Sequence, residues 1–525
     1  MSRPSTPGTP ERVVVVGYGP VAARLVDELL PAVREGRLEL LVLGQEDAPA
    51  YNRVLVADVG VGRTTADAIG LSDPAELAAE GVQVMTGTRA VAVDRVSRQV
   101  VLADGRTARY DRLVLATGAR AAVPPLAGLD PGAGRLPAGV TALRDLHDAA
   151  RLLAAVRDRR ELVVLGGGVL GLEAALAAAE EGARVTLVHT GTRPMARNLD
   201  HGGGTVLAAA LRAHGVRIVA GAVATGVDTA PGPDRLPWFR ALVLDDGTEV
   251  PGDQLLLSCG VRPRVELART CALPVGKGVL VDHRLQADRE GRVFAIGDCA
   301  EVLCGQPGCR ECAGREGRGP SGLIGPGWRQ AEWLAARLSA GTADGAGDLE
   351  PERPSVVLLK ARALDLAAAG HVSPEPWDID DADGRAPLRV AQWADPEHGR
   401  YAKMVTRDGV LEGLVCVGMP RTAAELVLLY ERGAELPADR TSLFRLDADG
   451  EVAVAPAGPE SMVCRCTGAT LGRIDEAVMA GCATVAEVGK VTRAGTGCGG
   501  CHDSIRERLA RAADRPAAAI GAPAP

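Results

Sequence analysis

Two stretches of the chain repeat one order: an aliphatic run, a glycine-rich turn, a helical pattern and a second aliphatic run. The fixed positions of the turns are Gly17, Gly19 and Ala22 in the first stretch and Gly166, Gly168 and Gly171 in the second. Strands buried on both faces read as continuous aliphatic runs. A strand that turns through G-x-G-x-x-G/A into a helix binds a dinucleotide, because its glycines let the pyrophosphate approach the backbone. The pattern predicts an α/β fold with two Rossmann-like nucleotide-binding domains.

The second aliphatic run of the first stretch, L-E-L-L-V-L-G, ends beside Gln45 and Glu46. An acid at this position hydrogen-bonds the adenosine ribose in dinucleotide-binding folds. We assign that role to Glu46; the alternative is a solvated loop carboxylate.

The pattern changes after about residue 350. Short alternating runs joined by D-P-E-H-G and R-D-G predict β-hairpins, and T-A-A-E-L-V-L-L-Y-E-R predicts a helix that stops at Gly433. A stretch rich in Asp, Ala, Gly and Pro then predicts a tether. Beyond it, helices are expected near 470–480 and 484–494, and another directly after Cys501. The whole predicts a small α+β domain followed by a small helical domain.

Four cysteines of that last domain stand in two close pairs, Cys464 with Cys466 and Cys498 with Cys501. Two such pairs can supply the four thiolates of a [2Fe-2S] cluster, and the glycines around the second pair let the backbone wrap closely. A four-cysteine zinc site fits the spacing too. Structural disulfides are a third interpretation.

The formal charge of −8, without a long basic run, argues against nucleic acid or an anionic membrane as a partner. No apolar run is long enough to span a membrane, and the N-terminus lacks the apolar core of a signal peptide. We therefore expect a cytoplasmic protein. Because the cytoplasm keeps thiols reduced, we expect the twelve cysteines to be metal ligands or buried residues and not disulfides.

Three further segments carry a family resemblance: A-Y-N-R ending at Arg53, A-T-G with Thr117 and Gly118, and G-D with Asp298. In this order they resemble the FAD-dependent pyridine nucleotide-disulfide oxidoreductase family. The resemblance implies that these residues bind FAD, with Asp298 on the ribityl chain, and that the inserted second domain holds NAD(P)H. It also implies that Glu173 lies near the nicotinamide and flavin rings. The alternative for Glu173 is an ordinary carboxylate near the start of a helix.

Selectivity between NADH and NADPH depends on the residues after the second strand of the inserted domain. His189 stands where NAD-selective sites usually place an acid, and Arg193 follows. The surrounding sequence resembles that of NADH-dependent nitrite reductase large subunits. We favour NADH and leave NADPH open, because Arg193 offers a partner for a 2′-phosphate.

The first cysteine of the chain is Cys259. Members of the family that reduce disulfides or peroxides carry a redox cysteine early in the FAD domain, so that chemistry is excluded here. The tail resembles bacterioferritin-associated-ferredoxin-like [2Fe-2S] domains. The domain order resembles nitrite reductase large subunits and electron-transfer subunits of assimilatory nitrate reductases. The resemblance implies electron transfer from NAD(P)H through FAD and the cluster to a terminal reductase subunit, for which we expect a molybdenum nitrate reductase.

A full nitrite reductase would continue into a sirohaem and [4Fe-4S] domain, whereas this sequence ends soon after Cys501. We therefore expect the acceptor on a separate polypeptide. Two alternatives remain: a ferredoxin- or rubredoxin-type reductase, and a module that docks on bacterioferritin to release iron.

Residues Val302 to Gly319 form an apparent insertion with Cys304, Cys309 and Cys312, just after Cys299. These four cysteines are a candidate metal site; the preferred alternative is a flexible surface loop facing a partner. The predicted domains are a disordered leader (1–10), an FAD-binding domain (11–140 and 263–345), an NAD(P)H-binding domain (141–262), a small α+β domain (350–440), a linker (447–460), a [2Fe-2S] domain (461–512) and a disordered tail (513–525).

Overall fold

The computed structural model describes residues 10–129, 136–231, 237–304, 309, 312, 319–340, 348–349, 356–361, 364–378, 386–447, 458–464, 467–497 and 499–513. Of the predicted features, most of the leader, most of the linker, most of the tail, and Cys466 and Cys498 lie outside these residues. None of the helices in the described ranges combines the length and the apolar character needed to cross a membrane.

The first stretch builds four of the five strands of a parallel sheet. Its elements are β1 (Glu11–Val16), α1 (Pro20–Arg34), β2 (Leu38–Leu43), α2 (Val56–Gly60), α3 (Pro74–Ala79), β3 (Gln83–Met85), β4 (Ala90–Asp94), β5 (Gln99–Leu102), β6 (Thr107–Arg109), β7 (Arg112–Leu115) and β8 (Ala119–Ala121). β1 lies between β2 and β7, in parallel with both, and its valines are buried. β4 to β6 form a separate antiparallel sheet.

The next stretch repeats the arrangement. Its elements are β9 (Val140–Ala142), α4 (Leu146–Arg157), β10 (Glu161–Leu165), α5 (Val169–Glu180), β11 (Arg184–His189), α6 (His201–Ala213), β12 (Val216–Ala220), β13 (Ala224–Pro231), β14 (Pro237–Leu244), β15 (Glu249–Pro251), β16 (Gln254–Leu257) and β17 (Val261–Pro263). The parallel sheet has the order β12-β11-β10-β16-β9, and β13 to β15 form an antiparallel sheet.

The chain then returns to the first sheet. The elements are α7 (Glu266–Thr270), β18 (Val279–Val281), β19 (Val293–Ala295), β20 (Ala300–Val302) and α8 (Ile324–Ser339). β19 pairs with β7, which gives the order β19-β7-β1-β2-β3. β18 and β20 pair in parallel, and α8 packs against α1, where the Trp328 indole donates to the Pro20 carbonyl at 3.3 Å.

An antiparallel sheet follows, as the hairpin signals predict. The elements are β21 (Val357–Ala361), β22 (Leu364–Gly370), β23 (Arg389–Asp395), β24 (Arg400–Arg407), β25 (Val410–Val417), α9 (Pro420–Arg432) and α10 (Thr441–Phe444), with the strand order β21-β22-β25-β24-β23. α9 ends at Gly433 in the left-handed conformation, which glycine adopts without a steric penalty. The predicted helix stop is confirmed.

The last described unit is small and mostly helical. Its elements are β26 (Met462–Cys464), β27 (Ala469–Thr470), α11 (Leu471–Met479), α12 (Val485–Thr492) and α13 (His502–Ala513). Its core contains Cys464, Ile474, Val488, Cys501 and Ile505, and Cys482 packs against that core. The predicted α/β fold class, with two Rossmann-like sheets, a small α+β unit and a helical unit, is confirmed.

Candidate functional site

A cavity of about 1810 Å³ opens where the carboxyl ends of both parallel sheets meet. Such crevices are where open α/β sheets bind ligands. Single ligand pockets span about 300–1,000 Å³, so this volume accommodates a dinucleotide and part of a second one.

The first glycine turn forms one wall of the cavity. Gly17 has φ +111°, and a Cβ there would lie 2.1 Å from the Ala116 carbonyl oxygen, so that only glycine fits. Gly19 is the N-cap of α1, and a Cβ there would lie no closer than 3.7 Å, to Arg53. Ala22 is buried against the sheet. The first-turn N–H groups of α1 are therefore available to an anionic pyrophosphate.

The second turn has the same geometry. Gly166 has φ +124°, and a Cβ there would lie 2.1 Å from the Ser258 carbonyl oxygen. At Gly171 a Cβ would lie 2.3 Å from the Gly166 carbonyl oxygen, whereas at Gly168, the N-cap of α5, it would meet open space. Gly168 lines the cavity, so this open space fits a second pyrophosphate.

Asp298 lies in a 3₁₀ turn, Gly297–Cys299, between β19 and β20. Its carboxylate accepts a hydrogen bond from the Arg144 guanidinium at 2.7 Å, and both residues line the cavity. The turn is held because the Gly297 N–H donates to the Gln330 side chain at 2.8 Å. The sequence predicted Asp298 but not Arg144, which follows a short edge strand without a recognisable motif.

Glu46 and Arg53 line the cavity and form one hydrogen-bonded group with the buried Tyr51. The Tyr51 hydroxyl donates to the Glu46 carboxylate at 2.7 Å, and the Arg53 guanidinium pairs with the other oxygen. Burial acts to raise the pKa of Glu46, but the charge of Arg53 and the two hydrogen bonds bring the pKa below its ordinary value. A carboxylate has about four lone-pair sites, so the ionised group keeps acceptor capacity for a ribose hydroxyl.

Thr117, Gly118 and Glu173 also line the cavity. The Thr117 hydroxyl donates to the Arg264 carbonyl at 2.9 Å, and Gly118 has φ +65°. Glu173 lies on α5, one turn beyond the second glycine turn, and its side chain is half-buried. The structure thus places residues from both glycine turns and from the A-T-G and G-D segments around one cavity, while Gly166 and Gly171 lie behind its lining.

His189 and Arg193 lie apart from the residues that line this cavity. The His189 ring is buried against Gly167, and burial lowers its pKa, so the ring is neutral at pH 7. Arg193 contacts the His201 ring at 2.8 Å. The His189 Nε2 and Arg193 Nε atoms are buried without a hydrogen-bond partner among the described residues. Because neither residue lines the cavity, their role in nucleotide binding stays a prediction.

The cysteines of the last unit converge as far as they are described. Cys464 ends β26, Cys501 precedes α13, and the two are 2% and 4% exposed. A hydrogen bond from Cys501 lowers the pKa of Cys464 to about 6, against the effect of burial and with help from Thr467 and the Gly495 N–H. A depressed thiol pKa suits a metal ligand, because the thiolate is the ligating form.

The loop before Cys501 contacts the FAD-side unit, by which we mean the sheet β19-β7-β1-β2-β3 and the helices packed on it. The Asn52 side-chain amide, 2% exposed, donates to the Thr496 carbonyl at 2.9 Å and also to the Gly497 carbonyl. Arg493 pairs with Asp27 of α1 at 3.1 Å. Met462, two residues before Cys464, lines the cavity itself. No sequence motif indicated this contact, although Asn52 stands inside A-Y-N-R.

Two other cysteines are not redox partners of the cavity. Burial raises the pKa of Cys259 to about 11; the residue as a whole is exposed, but its thiol is turned inward to the Leu165 carbonyl at 3.5 Å. Cys299 is fully buried, with its sulfur 3.2 Å from the Leu115 carbonyl oxygen. The hypothesis that Cys299 is the fourth ligand beside Cys304, Cys309 and Cys312 is therefore wrong, because its thiol faces the core.

The comparisons with known proteins agree with this geometry. Residues 11–317 match the family described as pyridine nucleotide-disulphide oxidoreductase, and residues 462–511 match the BFD-like [2Fe-2S] binding domain. The chain is 28% identical to a nitrite reductase [NAD(P)H] of Bacillus subtilis (strain 168), over 95% of this chain and 57% of the relative. It is 25% identical to an assimilatory nitrate reductase electron transfer subunit of the same organism, over 95% and 59%. The chain thus spans somewhat over half the length of these relatives.

A solved covalent putidaredoxin reductase–putidaredoxin complex shares the fold, with a TM-score of 0.68 and 24% identity over 84% of this chain and 98% of that one. The glycine turns, the open N-caps and the paired cysteines fit the cofactors of the two matched families, which are FAD, NAD(P)H and a [2Fe-2S] cluster. The chain belongs to the pyridine nucleotide-disulphide oxidoreductase family and is an NAD(P)H-dependent oxidoreductase.

Proposed function

We propose that this chain oxidises NAD(P)H and passes the electrons through FAD and its [2Fe-2S] cluster to a separate terminal reductase. When bound, the flavin accepts a hydride and releases electrons singly, which links a two-electron donor to a one-electron cluster. The residues of the chain bind, orient and shield these groups.

One observation carries the proposal: the cluster-binding unit is docked at the flavin cavity. Asn52 holds the loop that leads to Cys501, and the next residue, Arg53, lines the cavity. Met462 lines the cavity and leads directly into Cys464. The described part of the cluster-binding unit thus contacts the wall of the cavity, which supports direct electron transfer between the two sites.

The lining of the cavity supports an outward route for the electrons. No cysteine lines it among the described residues, and the nearby Cys259 thiol stays protonated at neutral pH because its pKa is raised. A thiolate is the nucleophile in disulfide chemistry. Electrons that reach the flavin site therefore have no local thiol partner and leave through the cluster.

We assign the sites as follows. Gly17, Gly19, Ala22, Glu46, Arg53, Thr117, Gly118 and Asp298 hold FAD; Gly166, Gly168, Gly171, His189 and Arg193 hold NAD(P)H, and Glu173 lies at the reacting rings. Arg144 donates a hydrogen bond to the Asp298 carboxylate and holds it in this orientation. Cys464, Cys466, Cys498 and Cys501 are the cluster ligands.

For the acceptor we propose a molybdenum-containing nitrate reductase. Similarity along 95% of this chain to a protein named as an assimilatory nitrate reductase electron transfer subunit supports this choice. The similarity to a nitrite reductase makes nitrite the competing substrate class.

The test combines the full chain, NADH or NADPH, and a separately purified nitrate reductase catalytic subunit under anaerobic conditions. We expect nitrate consumption that needs all three components. Cys464→Ala should abolish it while reduction of the small oxidant ferricyanide by the flavin site persists. Cys482→Ser is the matched control, because Cys482 is a cysteine of the same unit outside the ligand set.

Undiminished nitrate consumption in Cys464→Ala would overturn the route through the cluster. Consumption of nitrite by the chain without any added reductase would overturn the assigned acceptor.

A further inference from the structure

Four side chains outside the cofactor sites converge on one point. One ring nitrogen of His283 and the sulfurs of Cys304, Cys309 and Cys312 offer four ligand atoms, one per residue, that all lie within 4.8 Å of one another. The His283 Nε2 atom is 3.4 Å from the Cys309 sulfur and 3.5 Å from the Cys312 sulfur. The Cys304 and Cys312 sulfurs are 3.6 Å apart.

These separations match the edges of a small tetrahedron. With Zn–S bonds of about 2.3 Å and a Zn–N bond of about 2.0 Å, tetrahedral angles place two sulfurs about 3.8 Å apart and a sulfur and a nitrogen about 3.5 Å apart. A disulfide would require its sulfurs at about 2.0 Å. The arrangement is thus that of four ligands around one ion.

The fold fixes two of the four donors. β18 and β20 are parallel, with Val281 opposite Val302, so the residues two positions further on, His283 and Cys304, emerge side by side. The pairing continues past the strands, because the Leu303 N–H donates to the Val281 carbonyl at 2.8 Å. The Leu349 N–H donates to the His283 carbonyl at 2.8 Å and holds that loop in place.

The remaining donors come from the insertion. Cys309 and Cys312 have the C-x-x-C spacing of a metal-binding turn, and the Cys304 N–H donates to the Cys312 sulfur at 3.3 Å, a bond typical of a ligating thiolate. Cys312 is 7% exposed and the other three donors are partly buried, so the group is largely screened from solvent.

The donor set selects the metal. Three thiolates and an imidazole without a carboxylate are soft ligands, which favour zinc over calcium or magnesium. A two-iron cluster needs its ligands as two pairs around two metal centres, whereas these four atoms surround a single point. Four protein donors also complete a tetrahedron and leave no position for a substrate.

We infer that His283, Cys304, Cys309 and Cys312 form a structural zinc site that fastens the insertion to the FAD-side unit. Cys304 follows the Asp298 turn by six residues, and the insertion returns at Ser321 to Gly325, which line the cavity. The ion would therefore hold Cys304, close in sequence to the Asp298 turn, against His283 of the FAD-side unit.

The experiment measures metals in the full chain, expressed in medium with added zinc. Plasma mass spectrometry should find about one zinc per chain, besides the iron of the cluster. The double variant Cys309→Ser/Cys312→Ser should lose at least nine-tenths of the zinc and keep its iron. Cys482→Ser, which removes a cysteine elsewhere, should keep both.

Zinc K-edge absorption of the unaltered chain makes the test independent of whether the double variant folds. A shell of three sulfurs and one nitrogen is expected. A four-sulfur shell would place the zinc at the cluster cysteines and overturn the proposal. Absence of zinc, or full retention of zinc in the double variant, would overturn it as well.

Discussion

Gly17 and Gly166 meet the same steric requirement in two separate sheets. Each has a positive φ, and each faces a carbonyl oxygen only 2.1 Å from where a Cβ would stand, Ala116 for the first and Ser258 for the second. The sequence identifies both positions because the fingerprint is local. It does not identify Arg144, whose partner Asp298 is 154 residues further along the chain, or His283, which belongs to no recognisable motif.

Replacing Gly17 by alanine should abolish flavin binding. The added methyl group cannot coexist with the Ala116 carbonyl, so the end of β7 beside Thr117 must shift. Gly36→Ala is a matched control: Gly36 also has a positive φ, +70°, but a Cβ there meets open space. The Gly36→Ala variant should lose about 1 kcal/mol of its free energy of unfolding and still bind the flavin. Flavin released by denaturing each purified variant gives the occupancy, and equal occupancy in both would contradict the assignment of Gly17.

At the scale of elements, local pattern predicts which helices and strands form, and tertiary contacts decide the exceptions. α6 begins with H-G-G-G, although glycines disfavour a helix. The glycines are needed there because β24 and β25 pack onto the first turn of α6. A Cβ at Gly202 would lie 2.5 Å from the Tyr401 ring, and one at Gly203 would lie 2.8 Å from Val415. The neighbouring sequence does not predict these contacts. The need for glycine at Gly202 and Gly203 is therefore evident only from the fold.

The docking of the cluster unit on Asn52 belongs to this scale and predicts a kinetic defect. Asn52→Ala removes two hydrogen bonds from buried carbonyls of the cluster loop, which costs about 1–3 kcal/mol and loosens the docking. We expect NADH to reduce the flavin at the normal rate and the cluster about tenfold more slowly. Anaerobic stopped-flow absorbance separates the two steps.

The control for this prediction is Lys490→Ala, which removes a contact from the same interface. The Lys490 Nζ and Glu76 Oε1 atoms are 3.4 Å apart, and the two side chains are 73% and 68% exposed. An exposed ion pair of this kind contributes almost nothing to the free energy of docking. Its cluster should be reduced at the normal rate. If Asn52→Ala behaved like this control, the observed docking would have no part in electron transfer.

At the scale of the whole molecule, the order of the units was predictable and their mutual placement was not. Periodicity and short motifs reveal two nucleotide folds, a small sheet and a cysteine module, because each signal is contained in a few dozen residues. The pairs that join the units, Asn52 with Thr496 and Asp200 with Lys403, are separated by 444 and 203 residues. Asp200 caps α6 and is buried against Lys403 of β24, so this pair ties the second parallel sheet to the small antiparallel one.

The most direct measurement is the visible spectrum of the anaerobically reconstituted full chain, before and after one nicotinamide nucleotide is added. We expect flavin and iron–sulfur absorbance before the addition, and bleaching of both by NADH or by NADPH. A colourless protein, a flavin that neither nucleotide reduces, or a reduced flavin beside a cluster that stays oxidised would contradict this expectation.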